Sequence, residues 1–106
     1  MNGFEALAAP SPDAELVSAC DALMALYEEC VRRRGLPGMG FADWLAAHTR
    51  EMMRLEAQVA GLPAATEIGR RAKADLVLFQ LTQFVGEGSV HALSCSVLKD
   101  VLRGAE

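Results

Sequence analysis

The sequence lacks most of the features that announce chemistry. Its 106 residues include two His and three Cys. No Cys-x-x-Cys occurs, which removes the usual zinc-ribbon and thioredoxin-like arrangements. No Glu-x-x-His occurs, which argues against a ferritin-like di-iron centre. The phosphate-binding loop and the Gly-x-Gly-x-x-Gly turn are missing, and with them the common nucleotide signatures. No Gly-flanked serine elbow is present. Four Pro and nine Gly are too few for a collagen-like or low-complexity chain. No apolar run is long enough to span a bilayer, so no membrane partner is expected. The first residues carry Glu5 and no basic stretch, unlike a secretory signal. Three Cys is an odd count, and Cys20 and Cys30 lie ~15 Å apart on one expected helix, beyond disulfide reach. Reduced thiols in the cytoplasm are the expectation.

What is present is apolar surface: 52% of residues are apolar and 23% charged, with a net charge of -4. The length fits one domain. The charge is uneven. Residues 1–34 hold six acids and three bases, residues 35–62 three and two, and residues 63–106 five of each. An acidic chain with no long basic stripe makes nucleic acid an unlikely partner.

Residues 1–11 have no sustained period and read as a mobile arm ahead of a single helical domain, 12–106. The first helix is expected over 12–34. Ser11 suits its N-cap and Pro12 its first position. Leu16, Cys20, Leu23, Tyr27 and Cys30 form the apolar face. Glu28–Arg32 and Glu29–Arg33 are i,i+4 pairs on the outer face, and Gly35 is a stop. A Gly-rich loop at 35–40 leads to a second helix over 41–60. Its seam is Phe41, Leu45, His48, Met52, Leu55, Val59 and Leu62, with Gly61 as a C′ glycine. The third helix is expected over 66–85, capped by Thr66. Its stretch Leu76 to Val85 is apolar around most of the circumference, so it is either central or covered by another chain. Gly69 sits one turn in, where Gly costs ~1 kcal/mol relative to Ala, which points to a close backbone crossing. A fourth helix is expected over 89–103. The fold class is therefore all-α, a four-helix bundle or orthogonal variant with antiparallel sequential helices.

Leu62 to Ala74, with the core Pro63, Ala64, Thr66, Gly69, Lys73 and Ala74, precedes a further helix and a terminal S-V-L-K-D-V-L-R. This pattern resembles small uncharacterised helical proteins of α-proteobacteria, some in prophage-like regions. The resemblance covers roughly the C-terminal 45 residues and implies no activity.

The functional expectation is a small non-enzymatic interaction protein without cofactor or metal, partnering itself or another protein. The interface candidates are Leu76, Val77, Phe79, Leu81 and Phe84 of the third helix and His48 and Met52 of the second. Arg70, Arg71 and Lys73, against the helix dipole, are candidates for an anionic partner or for an acidic patch on the first helix. Alternatives are a nucleic-acid-associated regulator using Arg32, Arg33 and Arg34 or the 70–73 cluster, and a metal- or small-ligand-binding bundle using His91 and Cys95.

Overall fold

The computed structural model describes residues 12–84, 98–100 and 102–103. The proposed arm at 1–11, and His91 and Cys95, lie outside them. Every regular element among the described residues is α-helical: α1 at Ala14–Gly35, α2 at Phe41–Gly61 and α3 at Glu67–Gln83. The described fragments 98–100 and 102–103 are also helical. Leu102 is buried, and Asp100 and Arg103 pair on the exposed side.

α1 lies in the middle. It packs against both α2 and α3, which touch each other far less. Among the three described helices, α3 is therefore a flank and α1 the centre. The apolar circumference of α3 leaves Ile68, Val77 and Phe84 exposed. The core consists of Leu16, Ala19, Cys20, Leu23 and Tyr27 of α1, Leu55 and Val59 of α2, and Leu76 of α3. Leu76, an interface candidate by sequence, is thus placed in the core.

α1 and α3 run side by side in a fixed register. Asp13 meets Thr66, and Tyr27 meets Gln80, both across 53 residues of sequence. α1 holds both ends of α3 with charges that complement its dipole. At one end the Asp13 carboxylate accepts from the backbone N–H of Ala65 (3.0 Å) and of Thr66 (2.8 Å), and from the Thr66 hydroxyl. At the other, Arg34 donates to the Gln83 carbonyl (2.9 Å) and lies over the Phe84 ring, 5.5 Å from its centroid.

Asp13 explains two departures from expectation. The helix begins at Ala14, so Pro12 precedes it, and Asp13 occupies the N-cap position. Its side chain makes no cap bond within α1. It reaches instead to the start of α3, where several backbone donors have no intrahelical partner. There the Thr66 hydroxyl accepts from Gly69 N–H (3.1 Å), the expected cap. Gly69 is buried because Asp13 packs on it: a Cβ would sit 2.7 Å from Asp13 Cγ. The close approach inferred from sequence is thus real, but the neighbour is a side chain and not a crossing backbone.

This arrangement predicts a pH dependence. The Thr66 hydroxyl, the Ala65 and Thr66 amides, and nearby Arg70 hold the Asp13 carboxyl below its ordinary value of 3.8, against the opposing effect of burial. A carboxyl depressed in the folded state stabilises fully above its unfolded pKa, and that contribution is lost as pH falls through the folded value. Melting curves between pH 7 and pH 2.5 should show wild type losing its advantage over Asp13→Asn only below about pH 4. A constant gap between the two proteins across that range would contradict it.

Both glycine stops work differently from the sequence reading. Gly35 and Gly61 are the last helical residues, and neither takes positive φ. The chain leaves through extended Leu36 and Leu62, whose N–H groups bond to Arg33 and Val59. Among the described residues the left-handed glycines are Gly38 and Gly40, in the loop that turns α1 into α2 (φ 78° and 61°).

Candidate functional site

Because α2 and α3 both lean on α1 without closing on each other, a cleft runs between them with α1 as its floor. A polar triad with one member from each helix crosses it midway. The Tyr27 hydroxyl donates to Glu56 Oε2. Gln80 Nε2 donates to the Tyr27 hydroxyl (2.6 Å) and reaches Glu56 Oε2 at 3.3 Å. Burial, followed by the bond to Glu56, pushes the Tyr27 phenol far above its ordinary value. Tyr27 therefore stays a neutral donor, and the triad acts through hydrogen bonding.

Two grooves meet at this triad, and both are lined by Tyr27, Glu56 and Gln80. The larger, about 640 Å³, is walled by Phe41, Leu45, Met52, Met53 and Phe84, with Arg34 at its edge. The smaller, about 240 Å³, is walled by Leu23, Val59, Leu76 and Val77, with Lys73 at its edge. Three apolar side chains on these walls are open to solvent: Met53 (62% exposed), Val77 (42%) and Phe84 (40%). On the floor, Tyr27 stacks on Phe79 at 6.2 Å and meets Phe84 edge-on at 5.4 Å.

The interface candidates separate into groups. Val77, Phe84 and Met52 line the cleft. Phe79 is half-buried and packs on the core, and Leu81 is half-buried. His48 is a packing residue of α2: its ring stacks on Trp44 (4.5 Å), and its Nδ1 lies 2.8 Å from the Trp44 carbonyl. The seam read from sequence omitted Trp44, which is buried. Its position, three after Phe41 and four before His48, places it on the same helical face.

The Arg32–Arg34 cluster is engaged within the chain. Arg32 and Arg33 both bind Glu29, so Arg32 takes Glu29 and not the expected Glu28. Those two hydrogen bonds hold the Glu29 carboxyl down at about 2. Arg33 also donates to the Met39 carbonyl and sits 5.7 Å from the Trp44 centroid. Arg34 serves the end of α3. In the other cluster Arg70 is exposed and its charge acts on Asp13. Arg71 lies with Asp21 and Asp75 on the opposite side of α3, and Lys73 borders the cleft.

Cys20 and Cys30 are free and buried. Burial raises both thiol pKa values, leaving them protonated and poor nucleophiles at neutral pH. Among the described residues no group of three or more His, Cys, Asp or Glu converges on a metal position. None of their helices is long and apolar enough to cross a membrane. No family model, no curated protein and no solved structure matches this chain.

Proposed function

We propose that this chain is a small non-enzymatic helical interaction protein that docks a protein partner in the cleft between α2 and α3. The supporting observation is the cleft itself. Exposed Met53 and Phe84 line one apolar groove and exposed Val77 the other, on either side of the polar triad, and the methionines on the wall adapt to varied apolar surfaces. In this reading the chain is a four-helix bundle or orthogonal variant with antiparallel sequential helices, residues 89–103 supplying the fourth. It works in the cytoplasm, where its thiols stay reduced. Self-association is the other form of the same reading, and a dilution series separates the two. Docking of a foreign partner predicts a constant monomer mass by light scattering and enhanced fluorescence of an apolar dye, which Met53→Glu reduces. A mass that rises with concentration assigns the cleft to a second copy. A monomer that binds no dye at any concentration overturns the reading.

A further inference from the structure

The charges along the cleft are ordered. Glu56 lies at the middle, in the wall of both grooves. Its Oε2 takes the Tyr27 and Gln80 donors, while among the described residues no donor reaches Oε1. Lys73 edges the smaller groove, seven residues before Gln80 on α3. Arg34 edges the larger, seven residues after Tyr27 on α1. Seven residues are two helical turns, ~10 Å. Because Tyr27 and Gln80 are level and the two helices run in one direction, Lys73 and Arg34 lie on opposite sides of the triad. The cleft therefore reads positive, negative, positive over ~20 Å, with an apolar trough in each interval.

We infer that the cleft recognises an amphipathic helix of about four turns whose apolar face carries a basic side chain at its centre and an acidic one two turns to either side. This rests on the docking reading above. The central Lys or Arg reaches Glu56 Oε1, and the flanking carboxylates meet Lys73 and Arg34. Large apolar side chains between them enter the two grooves. A half-buried carboxylate held in place by Tyr27 and Gln80 is the discriminating element, because a helix with an acid or an apolar residue opposite it leaves Glu56 desolvated and unpaired. The length of the double groove favours an extended segment over a compact ligand. A small amine fills one groove at most.

The test is selection from a displayed library of amphipathic helices, with the full chain as bait. Wild type should enrich Lys or Arg at the central apolar-face position and Asp or Glu seven residues to each side. The best selected helix should bind Glu56→Gln about tenfold more weakly. Selection on Lys73→Glu, a change at the half-buried rim, should turn the flank on that side from acidic to basic and leave the centre basic. Circular dichroism checks that each variant keeps its helicity. Selected helices with no charge preference, or the same preference from wild type and Lys73→Glu, overturn the charge pattern and leave the docking reading standing. A library that yields no binder overturns both. Helix binding that weakens as chain concentration rises overturns this inference and gives the cleft to a second copy.

Discussion

Gly69→Ala should lower stability by roughly 2–3 kcal/mol, about 10 °C or more in melting temperature, although alanine is the better helix former. The new Cβ lands 2.7 Å from Asp13 Cγ and 3.2 Å from Asp13 Cβ. Asp13 is 2% exposed and holds three donors at the start of α3, so its carboxylate cannot retreat without leaving them. The informative measurement is the sign of the same substitution in a second background. Asp13→Gly removes the three atoms nearest to a Cβ at Gly69, and glycine is well tolerated at an N-cap. There Gly69→Ala should stabilise by up to ~1 kcal/mol, its intrinsic helix preference. The cycle therefore predicts a reversal and not a mere attenuation. If Gly69→Ala costs the same in both backgrounds, the carboxylate is not what excludes a side chain at this position.

The same pair shows how much of the molecule was legible in the sequence. Periodicity located three helices to within about two residues at each end, because the apolar faces of α1 and α2 repeat at helical spacing. Thr66 as a cap and Gly69 as a site of close approach follow from local rules. The identity of the partner does not. Asp13 satisfies every local rule for an anion in the first turn of its own helix, and only the lateral placement of α3 sends its carboxylate to another helix. Pattern likewise marked α3 as apolar all round. Whether the helix is central is not written in that pattern; among the described helices α1 takes the middle and contributes most of the core. Trp44 is legible too, although a strict 4,3 alternation steps past it: it lies on the same helical face as Phe41 and His48. The cleft was only half legible. Phe84, Val77 and Met52 were marked as interface candidates, but Glu56 and Gln80 carry no motif. They become a site through Tyr27, which brings three helices to one point. Residues without a distinctive spacing gain meaning only when packing sets them side by side.

Leu23→Ala should cost about 3 kcal/mol, among the largest losses available from a single side chain in this fold. Leu23 is nearly inaccessible at 2% exposure, and it lies on α1 beneath Val59 of α2 and Leu76 of α3. The Tyr27–Glu56–Gln80 hydrogen bonds one turn away fix the spacing of those two helices, which limits how far they can close over the missing atoms. The smaller groove already reaches this point, and water entering from it keeps the loss below the ~5 kcal/mol of a sealed cavity. Met53 stands on the rim of the adjoining groove with 62% of its surface exposed, and Met53→Ala should change stability by no more than about 0.5 kcal/mol. The contrast between floor and rim, read from chemical denaturation of both variants at low chain concentration, bears directly on function. A large loss at Leu23 with almost none at Met53 is what an open cleft requires, with its floor belonging to the core and its rim left for a partner. A loss at Met53 approaching that at Leu23 would mean that the rim is already covered in the isolated chain, and a foreign helix would then have no surface on which to dock.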